Sequence, residues 1–416
     1  MAACGMTRER PYLLDVTRLV SRSWTRRLST GIDRVCYAYL ERYAGRAHAV
    51  VQHRGVARTF DAPGSDRLFE LLLGPDRRFR QDLVGFAARH LSRARAVLDG
   101  GDALYVNVSH TDFDLPSHQR WVRQSRLRPV YLIHDLIPIT HGELCRPHAV
   151  ARHRGRVTGA LRSAAGIIVN SHATARDLAA FSKAQSLPLP PTLPAALAGA
   201  PLAAPRARAP IAEPYFVCVG TIEPRKNHML LLQVWLAIAA QLGRETPRLV
   251  IVGQWGKGSG AVREALRASP ALQRHVTVMD RCPDEDLAGL VSGAVALLKP
   301  TLAEGFGLPL VEALRLGTPV IASDLPCFRE IGQGVPTLLD PEDAHAWTRT
   351  VLGFASSTGD PERRRQLAMM PSFAPPTWDD HFARVEAWME RLPVSLPAPW
   401  TLGHRPRATF ESSRVR

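Results

Sequence analysis

The sequence predicts two doubly wound α/β domains whose parallel sheets face each other across a cleft. Three observations carry that expectation. Short β-rich apolar runs alternate with helical stretches along both halves of the chain, which is the pattern of a parallel sheet with helical crossovers. A Pro- and Ala-rich stretch separates the two halves. The length, 416 residues, exceeds what one compact core usually supports.

The elements follow in order. A strand-like Tyr-Leu-Leu-Asp-Val run at 12–16 opens the chain, then a basic stretch, then a helix over 35–43. Further strands fall at 49–52, 103–108, 130–133 and 166–169, with helical stretches between most of them. Residues 186–210 hold Leu-Pro-Leu-Pro-Pro-Thr-Leu-Pro and Ala-Ala-Pro-Arg-Ala-Arg-Ala-Pro. That composition reads as an extended linker or exposed loop rather than core. The second half gives strands at 215–219, 249–252, 276–279 and 295–298, with helices over 228–242, 262–268 and 284–291 between them. A turn, helix and strand follow over 304–323, and an amphipathic helix over 377–392 comes last. The expected division is an α/β domain over 1–185, the linker over 186–210, a second α/β domain over 211–375, a helix over 376–393 that packs back on the first domain, and a loose tail over 394–416. Ligands bind such sheets beyond the carboxyl ends of their strands, so the site belongs in the cleft.

Composition narrows the class. The apolar share, 45%, is that of a soluble globular protein, and no run reaches the roughly 18 apolar residues of a membrane span. The N-terminus lacks the apolar centre of a signal peptide. Six cysteines are scattered without a Cys-x-x-Cys, which predicts neither a disulfide framework nor a zinc site and makes a reducing cytoplasm the default. The charge is uneven. Residues 1–210 hold 31 basic and 16 acidic side chains (31 − 16 = +15), whereas 211–416 hold 22 of each. A basic first half expects an anionic partner. Only four of the 53 basic residues are lysines, at 183, 226, 257 and 299.

The chemistry concentrates in Glu304-Gly-Phe-Gly-Leu-Pro-Leu-Val-Glu312. Two carboxylates flank a glycine-rich turn that opens a helix. Pro309 suits the first helical position, Gly317 suits a left-handed end, and Pro319 blocks continuation. The backbone N–H groups of Gly305, Phe306, Gly307 and Leu308 then form a phosphate cradle at a helix N-terminus. The acceptor-only carboxylates suit sugar or ribose hydroxyls. A second site is Gly220-Thr221-Ile-Glu-Pro-Arg225-Lys226-Asn-His, where a strand ends and two cations precede a helix. Such cations can neutralise a departing diphosphate. His134-Asp135-Leu-Ile-Pro closes the strand at 130–133, so His134 points toward the cleft. Thr30-Gly31-Ile-Asp33-Arg34 puts a glycine between strand and helix. Gly253, with Gly256, and Arg281 follow two further strands.

The 304–313 run resembles the Glu-x7-Glu signature of retaining glycosyltransferases of the GT-B fold, in the large group 4 family. The resemblance covers most of 12–390 and is strongest over 215–325. It implies the GT-B fold, two Rossmann-like domains facing a cleft. It implies a nucleotide-diphosphate sugar as donor, with no cofactor and no metal. Lys226 matches the family's phosphate-binding lysine. Many members place a second cation directly after the strand-end glycine, but this chain has Thr221 there, which leaves Arg225 or backbone groups to share the load. Glu312 is expected on the ribose and Glu304 on the sugar, near the reacting carbon. His134 is expected at the reacting face, on a sugar hydroxyl or in a proton relay. Gly31 is expected at the diphosphate, and Arg34 at donor phosphate or acceptor. The loops at Gly253 and Arg281 are expected at the base.

The local runs Glu-Pro-Arg-Lys-Asn and His-Asp-Leu-Ile-Pro-Ile are most similar to bacterial mannosyltransferases of surface-polysaccharide assembly. This implies GDP-mannose as donor and a glycan or polyprenyl-diphosphate-linked acceptor. It also implies a place at the inner face of the plasma membrane, with nucleic acid not expected as a partner. Two rivals share the fold: a noncatalytic sugar-nucleotide or nucleic-acid binding module, and a phosphorylase using free phosphate. The glycines at 253, 256, 258 and 260 do not form Gly-x-Gly-x-x-Gly, which argues against NAD. The acids at 112 and 114, and at 284 and 286, mimic a metal-binding Asp-x-Asp but fall in a polar loop and at a helix start.

Overall fold

The computed structural model describes residues 10–26, 30–53, 55–75, 78–96, 100–101, 103–199, 211, 213–356 and 359–393. It contains two sheets. The first runs β1 (Tyr12–Asp15), β2 (Ala47–His53), β3 (Val56–Thr59), β4 (Leu104–Asn107), β5 (Arg128–Ile133), β6 (Gly166–Val169) and β7 (Thr192–Pro194). Its spatial order is β3-β2-β1-β4-β5-β6-β7, parallel throughout except for the β2–β3 hairpin. The second sheet runs β8 (Tyr215–Val219), β9 (Arg248–Val252), β10 (Val276–Met279), β11 (Leu297–Lys299), β12 (Val320–Ser323) and β13 (Thr337–Leu339). Its order is β10-β9-β8-β11-β12-β13, and all its pairs are parallel. This is the doubly wound order 3-2-1-4-5-6, with its reversal point between β8 and β11. The central strands are buried on both faces, so they read as continuous apolar runs rather than alternating ones.

The structure differs from the expected elements in several places. The basic stretch after β1 is a helix, Thr17–Thr25. The next helix begins at Gly31 rather than 35, because Asp33 reaches back to cap Thr30. Part of the expected linker is built into the first domain. Residues 192–194 form β7 at the sheet edge, where a proline costs no ladder bond on its open side. Ala195, Leu197 and Ala198 beyond it are buried. The rest of that stretch, 200–210, and the tail over 394–416 lie outside the described residues.

The last helix, Trp378–Met389, leaves the second domain and packs on the first. Phe382 meets Tyr39 and Tyr43 edge-on at ring distances of 5.0 and 5.9 Å. The Tyr39 hydroxyl hydrogen-bonds His381 at 2.8 Å, and Arg42 holds Glu386 through two bonds of 3.0 and 2.7 Å.

Candidate active site in the interdomain cleft

The reversal point of the second sheet assembles most of the sequence-derived residues. β8 runs out into Gly220 and Thr221, and a single turn, Pro224–Lys226, then presents Arg225 and Lys226. Asn227 takes a left-handed conformation (φ 54°), which Asn tolerates better than most residues, and turns the chain into the His228–Leu242 helix. β11 ends beside β8 at Lys299, and the chain continues to Glu304.

Glu304 is the electrostatic centre. Lys226 Nζ donates to its Oε2, Lys299 Nζ lies 3.4 Å from the same oxygen, and Arg225 Nη1 lies 3.5 Å from Oε1. Arg225 also donates to the Ala303 carbonyl at 2.8 Å and to Glu223 at 2.8 Å. Burial alone would raise the Glu304 pKa, but Lys226, Lys299 and Arg225 outweigh it and hold the carboxyl well below the usual range. Burial pushes the Lys226 ammonium down to about 7, against the pull of Glu304. Glu304, expected on sugar hydroxyls, is therefore held by three cations in this structure.

The turn after Glu304 shapes the cradle. Gly307 sits at φ 109°, a conformation that side chains disfavour, and the helix Leu308–Arg315 follows with Pro309 second rather than first. Gly305 presses on the other domain. A Cβ there would stand 2.2 Å from the His134 carbonyl oxygen, so only glycine allows this approach. Ser171 Oγ donates to the Gly305 carbonyl at 3.0 Å across the same contact. Glu312 is only 5% exposed. It accepts from Arg34 Nη1 at 3.1 Å, while Arg34 Nη2 donates to Asp284 at 2.7 Å. Arg34 thus bridges the cleft to the residue expected on the ribose.

The first domain supplies the facing wall. Asp33 accepts from the Thr30 amide and hydroxyl, both at 2.7 Å, and from Arg18 at 2.6 Å, which fixes the start of the Gly31–Tyr43 helix. Leu308 Cδ1 lies 3.3 Å from where a Gly31 Cβ would stand, so two helix N-termini from the two domains face each other. His134 is 6% exposed and donates from Nε2 to the Val108 carbonyl at 2.8 Å. That bond leaves Nδ1 as an acceptor. Burial lowers the His134 pKa to about 4, so the ring is neutral near pH 7. This suits a hydrogen bond from a sugar hydroxyl and disfavours the proton relay.

Gly220, Thr221, Arg225, Lys226, Gly305, Phe306, Gly307, Leu308 and Glu312 gather in the second domain, and Gly31, Arg34 and His134 meet them from the first. Gly253 lies in the loop after β9, tied to the Met279 carbonyl at 2.9 Å. Arg281 stands exposed in the loop after β10 and is not drawn into the cluster around Glu304. Asp112 and Asp114 pair with Arg152 at 3.3 and 3.2 Å, and Asp284 with Arg34. Two residues escaped the sequence reading. His110 packs on His134 with ring centroids 5.0 Å apart and accepts from its amide at 3.2 Å. Lys299 carried one signal: it is one of only four lysines, placed at a strand end.

The chain is similar to several known proteins. Escherichia coli serotype-specific mannosyltransferase WbdA is 34% identical over 194 residues, 45% of this chain and 22% of that protein. E. coli O-antigen chain mannosyltransferase B is 30% identical over 138 residues, 33% of this chain and 36% of that protein. The chain thus spans between about a fifth and about a third of these relatives. Among solved structures, Anabaena Alr3699/HepE, determined with UDP and glucose, superposes with a TM-score of 0.63 at 16% identity over 91% of this chain and 99% of that one. Sucrose-phosphate synthase from Thermosynechococcus elongatus gives 0.60 at 17% identity over 92% and 98%. Identities this low speak to the fold alone, and that fold is GT-B. Residues 213–357 match the family described as glycosyl transferases group 1, within a fold that is GT-B.

Proposed function

We propose that this chain is a retaining glycosyltransferase that uses a nucleotide-diphosphate sugar. The observation that carries the proposal is the convergence of Lys226, the 305–308 amides and Glu312 at the reversal point of the second sheet, opposite His134 and Gly31 of the first domain. The amides and Lys226 hold the diphosphate, and Glu312 receives the ribose hydroxyls. Glu304 and His134 Nδ1 accept from hydroxyls of the sugar. The bond from the anomeric carbon to the diphosphate oxygen breaks, and its electron pair leaves with the diphosphate. The acceptor hydroxyl forms the new bond on that same face, and its proton passes to the departing phosphate oxygen. The cations and helix N-termini stabilise the charge as it develops. Side-chain cations thus serve the role a metal has in other transferases, and no cofactor is needed.

Mannose from GDP-mannose is the proposed donor, supported by relatives named mannosyltransferases. The proposed acceptor is an anionic glycan or a polyprenyl-diphosphate-linked glycan at the inner membrane face. The basic first half supports it. No helix among the described residues is long and apolar enough to cross a membrane, so attachment would be peripheral. Thermal stabilisation by GDP-mannose, UDP-glucose, UDP-N-acetylglucosamine and ADP-glucose tests the reading. One of them raises Tm, as ligand linkage requires. If none does, the donor class is wrong.

A further inference from the structure

We propose that Lys299 is the second diphosphate cation of this site, and that Glu304 is an internal stand-in for the diphosphate which the donor displaces. The inference rests on the nucleotide-diphosphate reading above and adds a residue and an exchange to it.

The argument begins with position. Thr221 follows Gly220, so the loop after β8 offers no cation directly after its glycine. The neighbouring strand does. β11 lies beside β8 at the reversal point, and Lys299 is its last residue. Its Nζ lies 3.8 Å from where a Gly220 Cβ would stand, and Lys226 Cε lies 3.9 Å from the same point. Two lysines, one at a strand end and one in a turn, therefore flank one bare glycine. Lys299 is 3% exposed, and its Nζ also lies 3.5 Å from the Val219 carbonyl.

Charge makes a purely structural role insufficient. Glu304 already has Lys226 and Arg225. Burying a third cation against the same carboxylate is costly, and among the described residues Glu223 pairs with Arg225 rather than with either lysine. His228 opens the next helix with a buried ring. Its ring is 1% exposed, and among the described residues neither nitrogen has a hydrogen-bond partner. Burial, then Lys299, then Lys226, keep it neutral. Two lysines thus converge on a place where Glu304 supplies one carboxylate.

A diphosphate entering here offers more charge and more acceptor oxygens than Glu304. It would take Lys226 and Lys299. Glu304, released from two lysines, would then turn to the hydroxyls of the attached sugar. Sugar reading would follow diphosphate capture.

Isothermal titration calorimetry tests this on the whole protein. GDP, UDP and ADP are titrated first, and the tightest is compared with its monophosphate. In Lys299→Met and Lys299→Gln, the ratio of diphosphate to monophosphate affinity should fall at least roughly fivefold. A smaller change in a folded variant overturns the role of Lys299. In Glu304→Gln the diphosphate should bind tighter than to the unsubstituted protein, because its competitor is gone. Unchanged or weaker binding overturns the stand-in role, and this arm decides if neither Lys299 variant folds. Failure of the unsubstituted protein to bind any of the three diphosphates contradicts the nucleotide reading itself and takes this inference with it.

Discussion

At the scale of single residues, the site is governed by how burial and charge oppose each other. Lys226 is driven down to about 7 by burial while Glu304 and the cations around it compete. A diphosphate adds negative charge beside Lys226 and raises its pKa. Binding above pH 7 must then take up a proton, and affinity must fall as pH rises. Titrating GDP at pH 8.5 in two buffers of different ionisation enthalpy should show uptake approaching about one proton, vanishing near pH 6. Uptake that does not change with pH would remove Lys226 from the phosphate contact. The sign for the protein alone is separate. A lysine lowered in the folded state is protonated more readily in the unfolded chain, so this group adds stability as pH rises from about 7 toward its ordinary value.

At the scale of elements, the Trp378–Met389 helix is the clasp on the first domain. Phe382 is buried between Tyr39, Tyr43 and Trp378. Phe382→Ala should cost about 3–5 kcal/mol and lower the urea midpoint of the first domain. An unchanged midpoint would mean the helix does not hold that domain. The central strands were legible because each is a continuous apolar run, and several helices because their pattern is local. The helix over 228–242 was readable to the residue. β3, β7 and β13 were not, since Val-Ala-Arg-Thr, Thr-Leu-Pro and Thr-Leu-Leu lack the continuous apolar run of the other strands. The cradle and both glutamates were legible because one short segment encodes them. The Arg34–Glu312 bridge joins residues 278 positions apart, and Lys226 meets Glu304, 78 positions on, because β8 and β11 pair in parallel. Topology, not pattern, makes those contacts.

At the scale of the molecule, charge divides sharply between the two halves. The whole net charge of +15 falls in the first 210 residues, while the half that carries the glutamates is neutral. This supports a donor grip in one domain and an anionic acceptor side in the other. The protein should sediment with vesicles containing phosphatidylglycerol and dissociate as salt rises past roughly 0.3 M, where screening is strong. Binding that ignores salt, or none, would count against the acceptor side proposed here. The account as a whole turns on transfer at the cleft built by both domains. Its most direct measurement is nucleoside diphosphate release from the stabilising donor by the unsubstituted protein and by Glu312→Gln. The account predicts a loss of at least about a hundredfold with an unchanged melting temperature. Release that persists in the folded variant would contradict it.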